Sequence, residues 1–210
     1  MIRKSADLDR ASRAVEELLD ALGVPVSSDP ELAQTGRRVA EAFAHELLAG
    51  YAMDPAQILG ESTGSAASGL VVVTGIATAT MCPHHLLPAS GVVHVGYLPG
   101  DRVVGLGALA RLVDCYARRL ILQEDLGQRI ADALVEHLGA RGAGAIVDLS
   151  QACVTARGVR QHGARAVTSA FAGSMARDAA ARQEMSAAVA LSLPGISRSG
   201  AADGPGAERA

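Results

Sequence analysis

The sequence predicts an α+β fold built on an antiparallel sheet. Three observations carry that expectation. Apolar residues recur at helical spacing at Ala14, Val15, Leu18, Leu19 and Leu22, and again between Leu109 and Leu138. Between those regions Val93, Val95 and Tyr97 alternate with His94 and Gly96, the period of a strand. The predicted order is two helices, two or more strands, two helices, two strands and one helix, which favours hairpins over a doubly wound parallel sheet.

Taken in order, the first helix covers Asp7 to Leu22 and stops at Gly23. A second starts at Asp29-Pro30, with Asp29 as the N-cap and Pro30 in the first turn, and runs to about Leu48. It carries Arg37 and Arg38, which read either as a solvated face or as cations for a ligand. Gly60 to Ser68 reads as a Gly/Ser/Ala linker. Leu70 to Ala77 and Gly91 to Leu98 are expected strands, with His94 facing polar surroundings. Pro99-Gly100-Asp101 is a turn, after which Arg102 to Leu106 is expected to continue the sheet.

Two apolar stripes follow, Leu109-Leu112-Val113-Tyr116-Leu120 and Leu126-Ile130-Ala133-Leu134-Leu138. Their phase breaks between Ile121 and Glu124, so two helices are expected to meet there. Ala143 to Leu149 is a strand, followed by the segment Cys153 to Val159 and a turn at Gln161-His162-Gly163. Ala164 to Phe171 is a last strand and Ala176 to Leu191 a last helix. From Pro194 the Ser/Gly/Ala-rich tail shows no apolar period and is expected to be disordered. This divides the chain into a helical region (1–60), a main domain (61–175), a C-terminal helix (176–193) and a tail (194–210).

Of the 210 residues 49% are hydrophobic but only 2% aromatic, so the core must be aliphatic and rich in alanine. A net charge of -3 gives no ground for nucleic-acid or membrane partners. No apolar run approaches the ~20 residues of a membrane-spanning helix. Met1-Ile2-Arg3-Lys4-Ser5 lacks the apolar stretch of a secretion signal, and three cysteines suit a reducing cytoplasm.

The chemistry concentrates in Met81-Cys82-Pro83-His84-His85-Leu86-Leu87-Pro88. A thiolate and an imidazole three residues apart can turn toward one cation, and Zn²⁺ prefers such S and N donors. A catalytic zinc site needs a third protein ligand and an open position, and Cys153 is the candidate. The bland alternative makes both cysteines small buried hydrophobes and the histidines surface residues of a turn. His84 lies between the two candidate ligands. It cannot easily share their direction and instead reads as an acid or base, since an imidazole ordinarily titrates near ~6.5. Gln123-Glu124 marks the helix break. The carboxylate either favours the helix dipole or accepts from adjacent N–H groups on a nucleobase edge.

Together these segments resemble the GTP cyclohydrolase I family. The resemblance runs through Thr35-Gly36-Arg37-Arg38-Val39-Ala40, Cys82 to Pro88, Val104-Gly105-Leu106, Ala117-Arg118-Arg119-Leu120, Gln123-Glu124, Ile130 to Leu134, Cys153 to Arg160 and Val167-Thr168-Ser169. It implies the tunnelling fold: an antiparallel sheet with helices on one face, and sheets joined across subunits into a barrel, as a homo-oligomer, typically a decamer. It implies Zn²⁺ held by Cys82, His85 and Cys153, and His84 as the catalytic histidine. Gln123 and Glu124 match the guanine-binding pair, and Arg38, Arg111 and Arg157 the arginines that contact triphosphate. The implied reaction opens the imidazole ring of GTP or a related purine hydrolytically, releasing formate and leading to 7,8-dihydroneopterin triphosphate.

The chain also departs from the family pattern. Pro83 stands where the family usually has Glu, Gln151 where it has His, and Gly107-Ala108 where it has Ser-Lys. Gln151 can hold substrate or water at the catalytic position but cannot shuttle a proton. His162 either substitutes for the missing histidine at the substrate or is an ordinary turn residue. Three functions remain in view. They are a zinc-dependent cyclohydrolase with an altered phosphate site, a non-catalytic zinc- and purine- or pterin-binding paralogue, and a metal-free enzyme with covalent cysteine chemistry like the nitrile reductases. Metal content separates the last from the first two, and formate release separates those.

Overall fold

The computed structural model describes residues 6–26 and 28–192; the expected disordered tail lies outside the described residues. Helix α1 (Leu8–Ala21) is capped by Asp7, whose carboxylate accepts from Arg10 N–H at 2.9 Å. The single helix expected from Asp29 is instead broken. Asp29 caps a 3₁₀ turn, Pro30–Leu32, and α2 covers only Thr35–Ala42. A π turn at Phe43–Leu47 and a 3₁₀ turn at Ala49–Ala52 follow. The interruption lies at Ala33-Gln34; from Thr35 the chain stays helical to Leu47, near the expected stop, and Gly50 N–H then donates to Arg118 O at 3.0 Å. A short helix α3 (Pro55–Gly60) was not expected, although Asp54-Pro55 repeats the cap signal of Asp29-Pro30.

The expected linker contains strand β1 (Ser62–Gly64). The main sheet is formed by β2 (Val71–Met81), β3 (Pro88–Leu98), β5 (Gly142–Gln151) and β6 (Ala166–Gly173), in that spatial order and antiparallel throughout. Strand β4 (Arg102–Val104) does not continue this sheet. It pairs with β1 in a separate two-stranded ribbon, Ser62 opposite Val104, because Leu106 already opens helix α4 (Leu106–Ala117). Helix α5 (Gln123–Ala133) ends in a π turn, Leu134–Leu138, closed by Gly139. After β5 the segment read from Cys153 forms a helical turn, α6 (Ala152–Thr155). Helix α7 (Ala179–Ser192) starts three residues later than expected because Asp178 accepts from Ala180 and Ala181 N–H and caps it. Such a cap contributes about 1 kcal/mol.

Helices α4 and α5 cover one face of the sheet. Leu109, Leu112, Val113, Leu126, Ile130 and Leu134 pack there on Val93, Val95, Tyr97, Ala145 and Val147. The core is aliphatic, as the composition requires. Helix α7 is an addition on the opposite face, where Met185 meets Val72, Ile146 and Phe171. A side chain built on Gly96 or Gly144 would meet the Met185 sulfur at 3.0 Å, so these two glycines admit α7.

His94 corrects the expectation of polar surroundings: it is 4% exposed. Its Nδ1 accepts from the Gly75 N–H at 3.2 Å, where β2 bulges between Val73 and Ile76. Burial pushes the imidazole below its ordinary value, and nearby Asp148, itself paired with Arg165 at 2.7 Å, partly offsets this. The folded state therefore takes up the proton less readily than the unfolded chain. Stability from this site is present above about pH 6.5 and lost as pH falls toward the depressed folded value. Urea midpoints at pH 7.5 and 5.5 should show a smaller acid loss in His94→Asn than in wild type; equal losses would show that another group governs it.

Candidate active site and metal centre

The site begins with the β2–β3 hairpin. Met81 pairs with Pro88, which leaves Cys82 to Leu87 as the connection. Cys82 N–H donates to Leu87 O and Leu86 N–H to Cys82 O, both at 2.9 Å. Leu86 takes a φ of 53°, a costly conformation for a branched side chain. The tight loop buries Cys82 at its base and leaves His84 and His85 exposed.

Strand β3 brings in the third donor. It pairs with β5 so that Ala89 faces Gln151, and the chain turns at once into α6. Cys153, 71 positions after Cys82, thus arrives beside the hairpin loop. Donor atoms of Cys82, His85 and Cys153 all lie within 4.8 Å of one another. Cys82 Sγ is 3.7 Å from His85 Nδ1. Burial, then the neighbouring Cys82 sulfur, push the Cys153 thiol above its ordinary value, and Arg157 draws it partway back. Arg157 Nη1 lies 2.9 Å from His85 Nε2; a guanidinium only donates, so Nε2 accepts there. Two sulfurs and an imidazole make a donor set that could hold a metal ion, and its softness fits zinc.

His84 stands outside this set. Its ring meets that of His85 edge-on, with centroids 6.2 Å apart and planes at 79°. The link between α4 and α5 is tied to the same end of the sheet: Ile121 N–H donates to Met81 O at 3.3 Å. That tie brings Gln123 and Glu124 to the site. Gln123 is buried, and its amide donates to Val147 O at 3.0 Å and Ala166 O at 2.7 Å. Its Oε1 accepts from Gln151 Nε2 at 2.7 Å. Glu124 is exposed in the first turn of α5 and takes no hydrogen bond or ion pair among the described residues.

One chain therefore gathers Cys82, His85, Cys153, Arg157, Gln123 and Gln151. Arg111, Arg38 and His162 lie apart from this group. Arg111 is exposed and pairs with Glu61 at 2.9 Å. Arg38 on α2 and His162 in its turn are exposed, and no hydrogen bond or ion pair among the described residues joins either to the cluster. Arg119 had no assigned role. It donates to Cys115 O at 2.6 Å and Gly50 O at 3.1 Å and lies over the rings of Tyr51 and Tyr116. With Pro83, Leu122, Asp125 and Arg129 it lines a cavity of about 210 Å³ against the hairpin loop.

Residues 11–190 match the family model described as GTP cyclohydrolase I. Among curated relatives, the GTP cyclohydrolase 1 of Mycobacteroides abscessus is 45% identical over 85% of this chain and 88% of its own length. That of Corynebacterium aurimucosum is 41% identical over 87% and 93%, and that of Dehalococcoides mccartyi 38% over 82% and 93%. A crystal structure of an archaeosine synthase QueF-like protein in the apo form is 20% identical with a TM-score of 0.40, covering 52% of this chain and 96% of that one. Among the described residues no helix is long and apolar enough to cross a membrane.

Proposed function

Since the chain belongs to the GTP cyclohydrolase I family, we propose that it is a zinc-dependent cyclohydrolase that opens the imidazole ring of a guanine compound. The observation that carries this reading is the convergence of Cys82, His85 and Cys153 within 4.8 Å. Three protein donors leave a fourth position for water or substrate, the arrangement of a catalytic zinc site. Bound there, zinc supplies a nucleophile at neutral pH by lowering the pKa of water to ~7.

The chain's own residues do the rest. Glu124 has a free carboxylate and accepts from the two adjacent N–H groups of the guanine edge. His84 donates a proton to a nitrogen of the imidazole ring, which makes the carbon between the nitrogens electrophilic. Gln151 holds ligand or water without moving a proton. Arg157, Arg111 and Arg38 face the phosphates. The scatter of Arg38, Arg111 and His162 within one chain supports a site completed by another copy. The outer edges of β2 and β6 have no strand partner among the described residues, which supports ring closure into a homo-oligomer, a decamer.

The phosphate side is depleted in this chain. Ala108 packs in the core at 3% exposure, and Gly107 offers no side chain. A hydrogen bond to a charged group contributes ~1.5–3 kcal/mol, so one fewer weakens triphosphate binding roughly ten- to a hundredfold. The expected result is poor use of GTP and better use of GMP, guanosine or guanine. With no titrating group at position 151, ring opening should outrun later proton transfers, so a formylated intermediate should accumulate. Formate release and product analysis by zinc-loaded protein on these four compounds test both points. Efficient conversion of GTP to dihydroneopterin triphosphate, with no gain on the others, would defeat the altered-substrate reading. The rival reading is a zinc- and purine-binding protein without turnover, favoured by the amide at position 151. Tight binding with no formate from any of the four would establish it.

A further inference from the structure

The bonds around Gln123 have a direction. Val147 O and Ala166 O are main-chain carbonyls and can only accept. Both therefore face the Gln123 NH₂ group, and a flipped amide would set oxygen against oxygen. The Gln123 oxygen is then the atom left toward β5, and an acceptor there calls for a donor. Gln151 supplies it through Nε2 at 2.7 Å. This in turn sets the orientation of Gln151. Its Oε1 points away from the clasp and accepts no hydrogen bond among the described residues, while the side chain is only half-buried and two residues from Cys153.

We infer that Gln151 is a specificity-determining residue whose amide oxygen, oriented by the buried Gln123, accepts a hydrogen bond from a hydroxyl of the ligand's sugar. The inference rests on the cyclohydrolase reading above. In that reading Glu124 engages the N–H groups of the guanine edge, and the imidazole ring lies beside the cysteines. The ring atoms there, two nitrogens and the carbon between them, carry no N–H in an intact nucleotide. The donors nearest to that ring are the hydroxyls of the attached ribose. A fixed acceptor beside the ring therefore reads the sugar, and an apolar side chain in its place does not.

Binding of GTP, 2′-deoxyGTP and 3′-deoxyGTP to metal-free protein, measured by calorimetry with wild type and Gln151→Leu, tests this without turnover. Wild type should prefer GTP over one deoxy analogue by roughly three- to tenfold, the worth of one neutral hydrogen bond. Gln151→Leu should bind GTP and that analogue equally, at the strength with which wild type binds the analogue. A merely structural role would weaken all three ligands alike and keep the preference. No preference in wild type, or an undiminished preference in Gln151→Leu, would overturn the inference while leaving the cyclohydrolase reading intact. Failure of wild type to bind any of the three, or GMP, guanosine or guanine, would remove both together.

Discussion

Replacing Cys153 by alanine is expected to lower zinc affinity by at least about a hundredfold and to abolish formate release. Loss of a partner that merely orients a ligand typically costs 10–100-fold in affinity, so loss of a ligand costs no less. The three donors span 4.8 Å at most, so removing one leaves Cys82 and His85 with no other described sulfur or imidazole in that group. Cys115→Ala is the matched control. Cys115 is fully buried, its thiol lies 3.7 Å from Met53 O, and it has no part in the donor group. It should keep the metal and lose only packing stability. Metal content after dialysis against a competing chelator, with thermal melts of both variants, gives the answer. Full zinc occupancy in Cys153→Ala would refute the assignment, and equal loss in both variants would show that unfolding, not ligation, was measured.

His84→Ala is expected to lower kcat by about 10²–10⁴-fold while zinc content stays at the wild-type level. Loss of a general acid typically has that cost. His84 lies between two candidate ligands in sequence yet outside the donor group, exposed, with its ring 6.2 Å from that of His85. Single-turnover rates on the best substrate of the guanine series separate the chemical step from product release. A rate within about threefold of wild type would remove His84 from proton transfer. A fall accompanied by zinc loss would assign it to the metal instead.

The candidate donor group was legible because two of its members are local. Cys82 and His85 sit three apart in a loop whose ends are marked by Met81 and Pro88, and such spacing speaks for itself. Cys153 was legible as a distant cysteine near an expected strand end and through the family resemblance, and the β3–β5 register is what brings it beside the hairpin loop. The phase break between two apolar stripes was legible, and Glu124 lies in the first turn of the helix that opens there. His94 was misread because alternation tells which residues share a face but not what later covers that face. Ribbon β1–β4 was missed because three residues, Ser62–Gly64, are too few to show a strand period, and only their partner makes them a strand.

By itself the sequence determined the α+β class, the aliphatic core, the two helices that cover the sheet and the family to which the chain belongs. These follow from periodicity, composition and short motifs, all of which are local. Tertiary structure alone decided the seating of α7, the burial of His94 and the Gln123–Gln151 clasp. Each depends on a hydrogen bond or contact between residues far apart in the chain: Met185 with Gly96, Gly75 with His94, Gln151 with Gln123. Local propensity is worth tenths of a kcal/mol per residue, whereas a buried polar group left without its partner costs about 1–3 kcal/mol, so the distant partner prevails.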